Sequence, residues 1–480
     1  MCGIAGVYDF KSARAGEFLE KMLKALKHRG PDGSGFLIDD ISNYGDLETL
    51  VFPEGRVGIG HNRLAITWHG LQPIRNEDNS LWIVHNGEIY NYKQLRSKLE
   101  KKGHRFLTST DSEVILHAFE QGLLSELLGD YAFAIYDKKH ERLLLYRDAV
   151  GIRPLFYGIG DGVILFASER KALREFSTSI HRLPPGHRMI IENNGYVIEE
   201  FENLVSRFRG IKKEKDLDRL LSELEERLIL SIEARKYTPL GMFFSGGVDS
   251  SVIAKLAANQ GIDITLFSAG LKDSHDLKWA RKVAEILKLP LEERVIREDE
   301  IEELLRKTVR AIDETDPLKV LIGIPIYATA EKARECGFRV MFSGQGADEL
   351  FGGYARYLRS SDPVQEMVRD FANLYLNNLE RDDHCAMANS IEVRYPYLDI
   401  RVVEVAFKTP LEYKICGGLR KYILRKLGRK IGLPKEVCEK PKKAVQYGTG
   451  VTKFLKKMAK RKSLSLRDYI IKVLEEEMIN

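Results

Sequence analysis

A chain of 480 residues with 44% hydrophobic and 30% charged residues can bury ordinary cores and keep a wet surface, and its length fits two or three domains. The net charge of +5 sets 75 Lys and Arg against 70 Asp and Glu, too even a balance to point to nucleic acid. Five scattered cysteines (2, 336, 385, 416 and 438) form no Cys-x-x-Cys pair, and no leader or long apolar run is visible; the expectation is a cytoplasmic protein with reduced thiols and no membrane span.

The chain opens Met1-Cys2-Gly3-Ile4-Ala5-Gly6. Removing Met1 would leave Cys2 with both a thiol and a free α-amine. The amine titrates near about 7.7–8.0 and can take the thiol proton itself, which is the N-terminal nucleophile arrangement. From residue 2 to 201, short apolar runs end in turn residues: 58–66, 81–87, 131–136 and 143–146. That spacing predicts packed antiparallel sheets. In the second of these runs, Asn86-Gly87 reads as a turn whose amide points into a cleft.

Residues 202–216 turn polar and basic, with Arg207, Arg209, Lys212, Lys213 and Lys215, and read as a linker. A helix follows over 217–235, with Leu217, Leu220, Leu221, Leu224 and Leu228 on one face. The second domain, 216–480, alternates helices with short strands at 240–244, 264–267 and 340–342, the pattern of a parallel α/β sheet. The lysines after Phe454 read as a solvated helical face.

Between the first of those strands and a helix from about Asp249 lies Ser245-Gly246-Gly247-Val248-Asp249-Ser250-Ser251. The glycines let backbone approach a polyanion, and the helix start offers N–H groups and the positive dipole end. Asp249 would repel bare phosphate but suits a Mg²⁺ ligand. No Gly-Lys-Ser/Thr follows, so this is not a Walker loop.

That loop resembles the pyrophosphate loop of ATP-pyrophosphatases. Joined to an amino-terminal Cys-Gly-Ile-Ala-Gly, the chain resembles the glutamine-dependent asparagine synthetases along nearly its whole length. The likeness includes His28-Arg29-Gly30-Pro31-Asp32, Gly60-His61-Asn62-Arg63-Leu64-Ala65-Ile66, Asn86-Gly87-Glu88-Ile89-Tyr90-Asn91 and Asp111-Ser112-Glu113. It continues through Ser343-Gly344-Gln345-Gly346-Ala347-Asp348-Glu349 and Met387 to Asp399.

The resemblance implies an N-terminal-nucleophile (Ntn) hydrolase sandwich of antiparallel sheets, followed by a parallel-sheet ATP-pyrophosphatase domain with extra helices. It implies glutamine hydrolysis through a thioester at Cys2, with Asn86 and the Gly87 amide as oxyanion donors. Arg63 would clamp the glutamine carboxylate, within a stretch of contacts running through Leu64, Ala65, Ile66 and Thr67. Asp111, with Glu88 near it, would hold the ammonium. ATP would meet Phe243, Ser245, Gly246, Gly247, Asp249, Ser250, Ser251, Ala269, Ser343 and Gly344, with Mg²⁺ on Asp249 and Asp348. Lys442, or Lys443 beside it, matches a lysine that neutralises transition-state charge. The expected reaction forms asparagine from aspartate, glutamine and ATP through a β-aspartyl-AMP intermediate. The expected partners are those small molecules, with no nucleic acid and no membrane; a homodimer is left open.

Two departures bear on the acceptor. Gln345 stands where the family has a glutamate associated with acyl-adenylate formation, so it is carried as a catalytic position. The stretch 318–324 is apolar where bacterial enzymes have Thr and Arg. A different carboxylic acid therefore stays open as acceptor. Synthetases of the same fold that do without glutamine have no use for Cys2, Arg63, Asn86 and Asp111. Sugar-phosphate amidotransferases have no use for the pyrophosphatase loop. A non-catalytic sensor would form no AMP, and a tRNA-modifying enzyme lacks support in the even charge.

Overall fold

The computed structural model describes residues 2–66, 70–193, 195–314, 316–440 and 448–479. The chain divides into two compact units, Met1–Arg207 and Phe208–Asn480. Among the described residues, no helix is long and apolar enough to cross a membrane.

The first unit is a sandwich of two antiparallel sheets. One has seven strands, in the order Ser179–Arg182, Phe156–Gly160, Val163–Ala167, Gly3–Asp9, Val57–Asn62, Ser34–Ile38 and Ile41–Gly45. The other has six: Gly195–Glu200, His187–Glu192, Arg142–Arg147, Gly129–Asp137, Leu81–Ile89 and Ile74–Arg75. Alternation along the strands sends one face of each into the shared core. There Ile4, Val57 and Ile59 of the first sheet meet Val84, Ala132 and Leu145 of the second. The outer faces are covered by helices. Helix Ala15–Ala25 lays Leu19, Met22 and Leu23 on the first sheet, and helices Tyr92–Glu100 and Asp111–Glu120 cover the second with Leu95, Leu99 and Ile115.

The second unit is built on five parallel strands in the order Leu291–Ile296, Ile264–Leu271, Leu240–Phe243, Val340–Phe342 and Glu392–Arg394. The expected helix runs Leu217–Arg235 and is capped by Asp216, which accepts from the amides of Asp218 and Arg219. It buries Leu220, Leu221, Leu224 and Leu228, leaving Leu217 at the margin. In the stretch expected as a linker, Leu204–Phe208 is helical, with Leu204 and Phe208 buried. Helix Val451–Arg461 buries Val451, Leu455 and Ala459 and turns Lys456, Lys457 and Lys460 to solvent.

Candidate active sites

In the first unit, strand pairing gathers residues far apart in the chain. Gly3 pairs with Asn62, so Cys2 and Arg63 flank one register pair of neighbouring strands. Asn62 is held from both sides: its amide donates to Leu23 O at 2.7 Å and its carbonyl accepts from Ser34 Oγ at 2.7 Å. The Arg63–Ala65 backbone is tied to Asp32, whose amide donates to Arg63 O at 3.0 Å and whose carboxylate accepts from the Ala65 amide at 2.7 Å. Leu64 is buried and Ile66 half-buried; Thr67 lies outside the described residues.

Asn86 reaches Cys2 from the other sheet. Its Oδ1 accepts from the Cys2 backbone nitrogen at 3.0 Å, and its buried Nδ2 has no hydrogen-bond partner among the described residues. A buried amide donor without a partner costs about 1–3 kcal/mol, so this nitrogen is a donor that an added acceptor could satisfy. Asn86 and Gly87 do not form the expected turn: both lie inside strand Leu81–Ile89, opposite Ala132 and Tyr131. What distinguishes Gly87 is its φ of +153°, and a Cβ there would fall 2.0 Å from Asp130 O. Only glycine fits. Two residues on, the Ile89 amide donates to Asp111 Oδ2 at 2.8 Å, fixing Asp111 at the start of helix Asp111–Glu120. Glu88, between them, is half-buried.

The Cys2 backbone is anchored by residues that the sequence reading left without a role. Arg29 Nε donates to Cys2 O at 3.1 Å, and Arg29 Nη1 pairs with the buried Glu169 at 2.7 Å. His28 and Lys171 reach the same carboxylate at 2.9 and 2.7 Å. Burial alone would raise the Glu169 pKa, but His28, Lys171 and Arg29 outweigh it and hold the group well below the usual carboxylate range. His28 and Arg29 fall in a motif that was visible in the sequence; Glu169, 140 residues further on, carries no local signal.

In the second unit one cavity opens at the carboxyl ends of the parallel strands, where open α/β sheets place ligands. Phe243, Ser245, Gly247, Asp249 and Ser250 line it from the first strand–helix connection, and Ala269 from the next strand. Ser343, Gly344, Gln345 and Asp348 line it from the loop after Val340–Phe342. Gly246 and Ser251 stand behind this wall. Gly246, at φ +66°, leaves room for Trp279, whose Nε1 donates to Gly246 O at 2.8 Å. Ser251 is fully buried in helix Val248–Asn259. Lys442 and Lys443 lie outside the described residues.

Asp249 and Asp348 converge on Lys421. Its Nζ pairs with Asp249 Oδ2 and lies 2.7 Å from Asp348 Oδ1. Burial lowers the Lys421 pKa, yet the two carboxylates outweigh it and keep the ammonium charged. Lys421 also adopts φ +57°, a left-handed conformation that costs a non-glycine residue about 1–3 kcal/mol and tends to mark functional sites. Gly353 permits the approach, since a Cβ there would lie 1.8 Å from Asp348 Oδ1 and 2.2 Å from Lys421 Cε. No motif in Leu419-Arg420-Lys421-Tyr422 announces any of this.

Gln345 also has a buried partner. Its Nε2 donates to Asp382 Oδ2 at 2.7 Å, while Arg381 holds Asp382 Oδ1 at 2.6 Å. Desolvation raises the Asp382 pKa against the pull of Arg381 and Gln345. A carboxylate therefore does reach this wall of the cavity, carried by residue 382 rather than 345. Ile322, Pro325 and Ile326 of helix Pro317–Glu335 add an apolar patch to the cavity lining, of which Ile322 belongs to the apolar stretch 318–324.

Comparison with known proteins places both units. Residues 1–183 match the glutamine amidotransferase domain family, and residues 223–364 and 358–476 the asparagine synthase family. A Methanocaldococcus jannaschii protein that provisionally carries the name glutamine-hydrolysing asparagine synthetase 1 is 40% identical, over 97% of this chain and 96% of its own length. Glutamine-hydrolysing asparagine synthetase 2 of rice is 31% identical over 94% of this chain and 78% of its own. The Bacillus subtilis glutamine-hydrolysing asparagine synthetase 1 is 28% identical over 92% and 86%. Matched in both units and along nearly all of a 40% identical relative, the chain belongs to the glutamine-hydrolysing asparagine synthetase family of ligases.

Proposed function

We propose that this chain makes L-asparagine, diphosphate, AMP and L-glutamate from L-aspartate, ATP, L-glutamine and water. The observation that carries the reading is the divided use of Asn86, whose carbonyl holds the Cys2 nitrogen while its buried Nδ2 stays unpartnered beside the thiol-bearing residue. A donor there can meet the substrate carbonyl oxygen and the oxyanion that it becomes.

With Met1 removed, the Cys2 α-amine takes the thiol proton and Sγ attacks the glutamine amide carbon. The carbonyl oxygen becomes an oxyanion, met by Asn86 Nδ2 and the Gly87 amide. Ammonia leaves with the proton returned by the amine, and water then hydrolyses the thioester to glutamate. Arg63 offers a planar fork for the substrate carboxylate and Asp111 a charge for its ammonium. In the second unit the aspartate β-carboxylate attacks the ATP α-phosphorus and diphosphate leaves. Ammonia then attacks the β-aspartyl-AMP carbonyl, and AMP departs with the bonding electrons.

The amides opening helix Val248–Asn259 and the Ser245 and Ser250 hydroxyls provide donors for the phosphates. Asp249 and Asp348 suit Mg²⁺: they already share one cation, and Asp249 Oδ1 is buried without a hydrogen-bond partner among the described residues. Mg²⁺ bound there would neutralise charge on the phosphate oxygens. Lys421 brings positive charge to the same place, and Lys442 is kept as a second cation by resemblance alone.

A diazoketone analogue of glutamine tests the nucleophile. Intact mass should show the chain without Met1 and one adduct mapping to Cys2; labelling elsewhere, or a retained Met1, contradicts the mechanism. Replacing Asn86 with alanine should lower glutamine turnover by about 10²–10³ with little change in ATP use, measured as glutamate and AMP release.

Amidation of a different carboxylic acid is the second reading, favoured by the apolar wall of Ile322, Pro325 and Ile326. A panel of acids assayed for ATP-dependent AMP release decides it. The Gln345–Asp382 pair makes its own prediction. Gln345→Glu sets a second carboxylate about 3 Å from the first, where both cannot stay ionised. AMP formation at neutral pH should fall about tenfold for every 1.4 kcal/mol of repulsion. Adding Asp382→Asn should recover it, as read from the double-variant cycle.

A further inference from the structure

On the outer face of the first unit, four side chains from three segments aim ligand atoms at one point: Glu77, His104, His117 and Glu120. Glu77 sits in the turn between strands Ile74–Arg75 and Leu81–Ile89, and His104 in the loop after helix Tyr92–Glu100. His117 and Glu120 lie three residues apart on helix Asp111–Glu120, so they share a face. The two Nδ1 atoms are 3.0 Å apart. Glu120 Oε2 is 3.2 Å from the His117 nitrogen and 3.5 Å from that of His104. Glu77 Oε2 lies 3.4 Å from His117 and its Oε1 3.8 Å from His104.

A tetrahedral Zn²⁺ with ligands at about 2.0–2.2 Å spaces them about 3.3–3.5 Å apart. The five separations above, 3.0 to 3.8 Å, bracket that range, and all four ligand atoms lie within 4.8 Å of one another. Two ring nitrogens 3.0 Å apart can hold at most one proton between them, which a cation bound by both lone pairs would replace. Polar groups also surround the ligands, as they do at metal sites. The fully buried Glu113 stands 3.6 Å from the other His117 nitrogen, and Asn76 Nδ2 donates to the outer oxygen of Glu120 at 3.2 Å.

We propose that Glu77, His104, His117 and Glu120 form a divalent-metal site, best suited to Zn²⁺, that fastens helix Asp111–Glu120 to the hairpin and loop beside it. Imidazole with carboxylate suits first-row transition metals, and two histidines exclude the all-oxygen set expected for Mg²⁺ or Ca²⁺. The site is structural: the same helix begins with Asp111, so the metal would steady the element that carries it.

The test is Co²⁺ and Zn²⁺ titration of the chelator-stripped full-length protein, run beside His104→Ala and the surface variant Glu77→Gln. The parent should take up about one Co²⁺ per chain with the intense visible band of tetrahedral coordination. It should also gain Tm on Zn²⁺ addition. His104→Ala should lose the band and the Tm gain, and Glu77→Gln should bind about 10–100-fold more weakly or worse. The proposal is overturned if the parent shows no tetrahedral band. It is equally overturned if His104→Ala binds with the same stoichiometry and spectrum, because the metal then lies elsewhere.

Discussion

Cys2→Ala should abolish glutamine-dependent synthesis while leaving synthesis from ammonium salts at its wild-type rate. Loss of a catalytic nucleophile costs about 10⁴–10⁶ in turnover, because the oxyanion donors have no tetrahedral adduct left to stabilise. The carbonyl of residue 2 is held by Arg29 and its nitrogen by Asn86, both through backbone atoms, so alanine keeps both anchors. The loss should therefore appear in glutamate release and not in folding. Parallel assays with glutamine and with ammonium chloride measure it; equal losses from both donors would mean that residue 2 serves the whole molecule rather than the first unit.

The second large effect lies at the paired carboxylates. Asp348→Asn removes one of two charges that share the Lys421 ammonium and would hold Mg²⁺. A bound metal is worth several kcal/mol of charge stabilisation, so AMP formation should fall by about 10³ or more. Glutamine hydrolysis in the first unit should persist. The separation of the two activities distinguishes a lost ligand from general unfolding, since a misfolded chain would lose both. Raising Mg²⁺ should not restore the variant, because the missing group is the ligand itself.

The two-unit layout was legible because strand and helix periods differ and because polar residues fall between the halves. The loop 245–251 was legible for a related reason: its glycines and the helix start sit next to each other in sequence. The register of the first unit was not. The resemblance set Asn86 at the Cys2 site, 84 residues away, but the facing of two sheets that joins them leaves no local signal, and the strand run holding Asn86 and Gly87 looks the same whether it turns or continues. Glu169 and Lys421 are ordinary charged residues until burial and pairing give them a task. Gln345 read as a lost charge, and Asp382 was invisible as its partner because the pair spans 37 residues without a motif. The His/Glu cluster escaped notice for the same reason: only its His117–Glu120 pair is local.

The central claim is tested most directly by incubating the purified full-length protein with ATP, Mg²⁺, L-glutamine and L-aspartate and following products by mass spectrometry. Asparagine, glutamate and AMP rising in step is the predicted result. Glutamate accumulating without asparagine or AMP would contradict it, leaving a glutaminase joined to a synthetase unit that does not act on aspartate.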